Sequence, residues 1–270
     1  MIGKQVRLNK LFDKNKNAVI VAIDHGAFVG PIPGLVDIHE TIHNINPGVD
    51  GILLSPGMIS NCQDAFSYKG APMPIVRLNW STAFCFSWNY SKASTTPTKS
   101  VPQAVADGAE MILVSLTLRT GNEETDARNI NIFCKYVEEA QKLGIPIIGE
   151  YFPVNSSRLS DDEFNENIYT GCRIMAELGA DLIKTFYTKN FKDVVKACPI
   201  PIFALGGDLK SHPVDALKLA WDVIQDGARG VIFGRNALQV TNPKDFQAAL
   251  CDVVKNGISP AEATETYHLD

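Results

Sequence analysis

The sequence contains no C-x-x-C pair. Its six cysteines, Cys62, Cys85, Cys134, Cys172, Cys198 and Cys251, are scattered, so neither a disulfide framework nor a zinc knuckle is indicated, and a reducing cytoplasm fits best. No apolar run approaches the roughly 18 residues that a membrane helix needs, and the opening stretch MIGKQVRLNKLF lacks the apolar core of a secretory leader. Lysine and arginine are nowhere gathered into a stripe and the formal charge is −5, which argues against a nucleic-acid partner. Linkers, charge blocks and low-complexity segments are also missing, so one domain over residues 1–270 is the simplest reading.

What is present is ordinary for a globular enzyme: 45% hydrophobic and 20% charged residues in a chain of 270. Eight short runs read as strands: AVIVAID (Ala18 to Asp24), GILLS (Gly51 to Ser55), PIVRLN (Pro74 to Asn79), MILVSL (Met111 to Leu116), PIIGEY (Pro146 to Tyr151), DLIKTF (Asp181 to Phe186), PIFAL (Pro201 to Leu205) and GVIFG (Gly230 to Gly234). Helix-length segments separate them. One begins at Ser160 with a capping box to Glu163 and stops at Gly179, and the stops DGAE, KLGIP, ELGAD and QDGARG each return the chain to a strand. Eight such units predict an α/β fold, a single (β/α)8 TIM barrel.

HETIH, from His39 to His43, spells the zinc-protease pattern H-E-x-x-H. It falls on the helix after the first strand, which runs away from the face where barrels do chemistry, and no third ligand follows. A solvated outer helix face is the expectation, and no metal is called for.

Lys184 in GADLIKTFYT is the sharper feature. Side chains alternate across a strand, so Lys184 shares its face with Leu182 and Phe186. Burial in the barrel mouth disfavours an ammonium and leaves an amine able to form a Schiff base. The alternative is a lysine snorkelling at the strand end, or paired with a carboxylate such as Asp24 or Glu150. ALGGDLK after the seventh strand and FGRNALQ after the eighth supply Gly206, Gly207, Gly234 and Arg235, at the two loops where barrels commonly hold phosphate. IDHGAFVGP places Asp24 and His25 at the first strand end, suited to proton transfer or, alternatively, to an ion pair and a turn. GEYFPV brings Glu150, Tyr151 and Phe152 near the site, with only alternate residues facing inward.

Taken together, RLNKLF, IDHGAFVGPIPGL, VRLNWST, GADLIKTFYT, VVKACPIPIFALGG and GVIFGRNALQ resemble the archaeal-type class I fructose-1,6-bisphosphate aldolases. That family also holds the aminodideoxyheptulosonate synthases and the thiolase that breaks down phosphorylated autoinducer-2. The likeness runs from Arg7 to Tyr267. It implies a TIM barrel, a Schiff-base lysine at Lys184, proton transfer at Asp24, a substrate phosphate at Gly206, Gly207, Gly234 and Arg235, and no metal or other cofactor. It also implies a homo-oligomer, a decamer of two rings being one form the family takes, with a phosphorylated sugar as partner and neither nucleic acid nor membrane. Two departures stand out. Aldolases and synthases place an acid/base tyrosine directly before a proline, whereas Pro153 here follows Phe152, with Tyr151 one position earlier. The thiolase branch lacks that tyrosine too. Trp80 replaces a glycine usual in the LNGST stretch.

The expected activity is therefore metal-independent aldol cleavage or formation in a phosphorylated ketose, with fructose 1,6-bisphosphate as default substrate and Tyr151 or His25 assisting Lys184 and Asp24. A lysine-dependent acyl or ketol transferase is the second reading, and a non-catalytic barrel binding a phosphorylated metabolite the third. Ser81 to Ser100 and Arg119 to Asn129 are expected as loops at the mouth, the first carrying Trp88 and Tyr90 as a lid or subunit contact.

Overall fold

The structure is a computed structural model that describes residues 2–13, 17–85, 88, 90 and 92–269. Every run read as a strand from its β-branched composition is one: β1 (Ala18–Ala22), β2 (Gly51–Leu54), β3 (Met73–Arg77), β6 (Met111–Leu116), β7 (Ile147–Tyr151), β8 (Leu182–Thr185), β9 (Ile202–Leu205) and β10 (Gly230–Phe233). All pair in parallel, and β1 bonds to both β2 and β10, which closes the barrel. The fold is the eight-stranded TIM barrel that the alternation of strand and helix predicts. The remaining strands, β4 (Asn79–Ser81) and β5 (Thr95–Pro97), form an antiparallel pair beside the mouth.

The helices are α1 (Ile2–Leu11), α2 (Gly26–Val29), α3 (Ile38–His43), α4 (Val101–Ala106), α5 (Glu123–Leu143), α6 (Asp161–Glu177), α7 (Phe191–Ala197), α8 (Pro213–Gln225), α9 (Arg235–Leu238), α10 (Pro243–Cys251) and α11 (Pro260–Thr266). The capping box expected at Ser160 is complete: its hydroxyl accepts from Glu163 N, and the Glu163 carboxylate accepts from Ser160 N. Gly108, Gly144, Gly179 and Gly227, the stops read before strands, all carry positive φ, the left-handed turn that ends a helix without a Cβ penalty.

Strand alternation divides the core in two. Ile20, Leu53, Leu113, Ile148, Leu182 and Ile232 fill the barrel interior, while Val19, Ile52, Val114, Ile147, Ile183 and Val231 join the helices outside. Below, Leu11 buries against the interior layer, with Leu8 and Phe12 packed beside it, and ion pairs of Lys4 with Asp181 and Lys10 with Glu110 hold α1 across the strands' N-terminal ends. The other end, where the interior turns from aliphatic to charged, is the mouth.

The two expected loops are partly ordered. From Glu123 onward the second is helical, because the Asn122 side chain caps Thr125 N and Glu123, Glu124 and Asp126 fill the first turn. The first contributes β5 and a short turn over Thr82–Phe84. Its residues 86, 87, 89 and 91, within the segment expected as a lid or subunit contact, lie outside the described residues.

α3 carries HETIH as expected of an outer helix. Asp37 caps it, His39, Glu40 and His43 are exposed, and His43 Nδ1 lies 2.6 Å from the His39 carbonyl oxygen.

Candidate active site

The inward positions at the C-terminal ends of the strands carry a connected set of charges. Arg77 closes β3, Ser115 lies on β6, Glu150 on β7 and Lys184 on β8, each following an apolar inward residue two positions earlier. Asp24 stands two residues beyond Ala22, past the end of β1. The parallel register sets Ser115 beside Glu150 and Glu150 beside Lys184.

Bonding follows from that placement. Lys184 Nζ lies 2.6 Å from Glu150 Oε1. The Arg77 guanidinium donates through Nη1 to Glu150 Oε2 at 2.7 Å, through Nη2 to Oε1 at 3.0 Å and through Nε to Asp24 Oδ2 at 2.6 Å. Ser115 accepts from Arg77 Nη1 and donates to Glu150. Asn79 fixes this serine from the backbone side, donating to its carbonyl at 2.7 Å and accepting from its N–H at 2.8 Å. All four charged groups are nearly removed from water, Lys184 being 7% exposed and Glu150 2%.

Burial by itself would raise the pKa of Asp24 and Glu150, but Arg77 first and Lys184 second outweigh it and hold both carboxyls below the usual range. The same exchange acts on Arg77: burial disfavours its charge, and Glu150 and Asp24 more than restore it. Of the two partners anticipated for Lys184, Glu150 is the one it meets, while Asp24 is engaged by Arg77.

His25 follows Asp24, its Nδ1 3.9 Å from Asp24 Oδ1 and without a hydrogen-bond partner. Burial lowers its pKa; Asp24 opposes this, and Lys184, Arg235 and Arg77 add to the lowering. The imidazole is therefore held neutral at neutral pH, a state able to accept a proton. It rests on the bare backbone at the end of β10, where a Cβ on Gly234 would come within 2.2 Å of its Cε1.

Gly206, Gly207, Gly234 and Arg235 come together beside it. Arg235 Nη2 donates to the Gly207 carbonyl at 2.9 Å and to Asp208 at 3.2 Å, while its Nε is buried without a partner. Gly207 takes φ +64. The buried Asn236, unremarked in the sequence, organises this loop: Nδ2 donates to the carbonyls of Gly206 at 2.9 Å and Asp208 at 3.0 Å, and Oδ1 accepts from Lys210 N at 2.8 Å.

Tyr151 does not join the site. Alternation along β7 turns Ile148 and Glu150 inward and Gly149 and Tyr151 outward, and the Tyr151 ring packs in the outer core so closely on α6 that a Cβ on Gly171 would lie 2.4 Å from it. Burial pushes its hydroxyl up to about 12. Inward at the next position is Phe152, in a cluster with Phe28 and Phe84 against which Trp80 and Phe186 pack. Arg77 and Ser115 were also unmarked in the sequence; a lone cation inside PIVRLN, two residues past the inward Ile75, was the available signal for the first. Among the described residues, no three His, Cys, Asp or Glu side chains gather so as to hold a metal ion, and no helix is long and apolar enough to cross a membrane.

Residues 18–240 match the model of the DeoC/LacD family aldolases. An uncharacterized aldolase of Saccharolobus solfataricus is 29% identical over 268 residues, 97% of this chain and 98% of that one. The 2-amino-3,7-dideoxy-D-threo-hept-6-ulosonate synthase of Halobacterium salinarum is 30% identical over 265 residues, covering 97% and 95%. Among solved structures, an archaeal fructose-1,6-bisphosphate aldolase with its catalytic lysine covalently bound to the carbinolamine intermediate superimposes with a TM-score of 0.79 at 25% identity, over 93% of this chain and 99% of that one. With a closed parallel barrel, a buried lysine at its mouth and a family match across most of its length, this chain is an enzyme that belongs to the DeoC/LacD aldolase family.

Proposed function

We propose that the protein is a metal-independent aldolase that makes or breaks a carbon–carbon bond in a phosphorylated ketose through a Schiff base on Lys184. The observation that carries this is the burial of Lys184, 7% exposed, on an inward strand position at the mouth of the barrel. The amine gives up its proton and attacks the substrate ketone; loss of water leaves a protonated imine. In the cleavage direction a base takes the proton of the hydroxyl on the far carbon of the bond to be broken, that carbon leaves as an aldehyde, and the electron pair of the bond passes into the imine as an enamine. The enamine carbon is then reprotonated and water releases the ketone product.

His25 is the base and acid in this scheme. Asp24 and Glu150 are held as anions by Arg77, which suits them to orienting the ammonium and imine rather than to moving protons at neutral pH. Arg235 and the Gly206, Gly207 and Gly234 backbone take the substrate phosphate, which positions the ketone over Lys184. Fructose 1,6-bisphosphate is the reference substrate by resemblance.

A second reading, a lysine-dependent acyl or ketol transferase, is favoured by one observation: Phe152, not a tyrosine, faces the mouth, as expected of the thiolase branch. A non-catalytic barrel would keep Lys184 permanently bound to Glu150. Borohydride reduction with dihydroxyacetone phosphate or fructose 1,6-bisphosphate, followed by peptide mass spectrometry, separates the two lysine-dependent readings from the non-catalytic one. An adduct on the Lys184 peptide that Lys184→Ala abolishes supports imine chemistry, and no adduct with any phosphorylated ketose rejects it.

A further inference from the structure

The mouth has two unlike sides. Around the barrel, β8 lies between β9 and β7. Toward β9 and β10 stand the glycine backbones and Arg235. Toward β7 and β3 stands a continuous cluster of rings, three of them largely buried: Phe28 and Phe84 with centroids 4.8 Å apart, Phe84 and Phe152 4.9 Å apart, Phe152 and Phe186 5.0 Å apart. Phe152 is two residues beyond Glu150 and Phe186 two beyond Lys184, each the first residue past the end of its strand. Two residues of strand advance about 6.6 Å, so these rings stand one layer above the amine and its partner.

The cation beneath the wall has four of its five N–H donors engaged. Arg77 gives its donors to Asp24, Ser115 and Glu150, and its guanidinium carbon lies 4.9 Å from the Phe28 ring centroid and 5.1 Å from that of Phe84. A phosphate entering on this side would be desolvated against rings, with at most one Arg77 N–H left to meet it, and burying a poorly paired anion carries a large penalty. An apolar group would instead gain contact area and ring stacking.

We propose, resting on the Schiff-base reading, that a substrate lies across Lys184 with its one phosphate toward Arg235, and that the half beyond the reacting bond, released or accepted as an aldehyde, is uncharged and packs an apolar face on the Phe28, Phe84, Phe152 and Phe186 wall. The bond made is between the enamine carbon of the phosphorylated donor and the aldehyde carbon, whose oxygen takes up the proton. The preferred acceptor is accordingly an aromatic or branched aliphatic aldehyde, not a sugar phosphate.

The test is condensation with dihydroxyacetone phosphate as donor, comparing benzaldehyde, isobutyraldehyde and glyceraldehyde 3-phosphate, with borohydride trapping of the donor in parallel. A kcat/KM at least about tenfold higher for an apolar aldehyde than for glyceraldehyde 3-phosphate is expected, since one well-packed group in a pocket discriminates by that order. Phe152→Ala and the milder Phe186→Leu each raise KM for the apolar aldehyde. Trapping that succeeds while glyceraldehyde 3-phosphate is preferred, or while no apolar aldehyde is accepted, overturns the proposal and leaves the Schiff-base reading standing. No trapping at all rejects the Schiff-base reading itself.

Discussion

Glu150 joins Arg77 and Lys184 by a single carboxylate, each of whose oxygens meets the guanidinium while Oε1 also meets the ammonium at 2.6 Å. Removing that carboxylate strands Lys184 and leaves Arg77 with Asp24 as its one carboxylate. Glu150→Gln keeps the volume and some hydrogen bonds but loses the charge, and breaking a buried pair in this way costs about 3–5 kcal/mol. Urea denaturation is expected to show a loss of that size, together with a fall of about a hundredfold in the rate of imine formation measured by trapping.

Tyr151→Phe gives the opposite expectation. The ring lies outside the barrel wall against Gly171, so steady-state turnover should stay within about twofold of the parent, well under the hundredfold or more that loss of an acid/base group costs. A large fall in kcat with unchanged stability would return Tyr151 to the chemistry.

His25 sets a pH window. An imidazole whose folded pKa lies below its unfolded value of about 6.5 adds stability that is complete above that value and is lost as the pH falls through it. Below roughly pH 6.5 the parent should therefore lose stability more steeply than His25→Asn, by at most about 1.4 kcal/mol per pH unit, the worth of one proton. Asp24 and Glu150 act lower: their contribution is complete above about pH 4 and fades below it as the carboxylates protonate. Denaturation midpoints from pH 7.5 to 3.5 read both windows, and identical slopes for parent and variant above pH 5 would contradict the assignment.

Gly234→Ala places a methyl 2.2 Å from His25 Cε1 and 3.0 Å from the Ala22 carbonyl oxygen. Overpacking of this kind costs about 1–3 kcal/mol. The melting temperature and the acid limb of the pH–rate profile should move together, because the ring that must shift is the one assigned to proton transfer.

Asn236→Ala removes the donor and acceptor that shape the loop after β9. Leaving those backbone groups without partners costs about 1–3 kcal/mol. KM for a phosphorylated donor should rise by about tenfold, in line with one lost positioning interaction, and more than kcat falls. Arg235→Ala should do the same without the loss of stability.

The barrel was legible in the sequence because each strand is a short β-branched run punctuated by a glycine stop, signals that are local. The first-turn acids and Ser160 cap of α6 are equally local. What was not legible depends on register. Glu150, Tyr151 and Phe152 are adjacent letters, and only the outward turn of Gly149 against Met175 and Ala180 decides which of them face the mouth. Arg77 reads as one cation in an apolar strand until β3 is set beside β6 with β7 beyond it, and beside β2 with β1 beyond that, when its partners Ser115, Glu150 and Asp24 converge from residues 38, 73 and 53 positions away. Side-chain anchors such as Asn79 and Asn236 escaped for the same reason, since each bonds to backbone far along the chain.

The aromatic cover over Arg77 has an electrostatic consequence. Lys184 carries one positive charge as an ammonium and one as a protonated imine, so the field it experiences from Glu150, Arg77 and Asp24 serves both states without rearrangement. Rings that keep water from the guanidinium also keep it from screening that field. In the proposed Schiff-base reaction, the charges around the resting lysine are thus already oriented for the iminium, and little solvent reorganisation stands between the two.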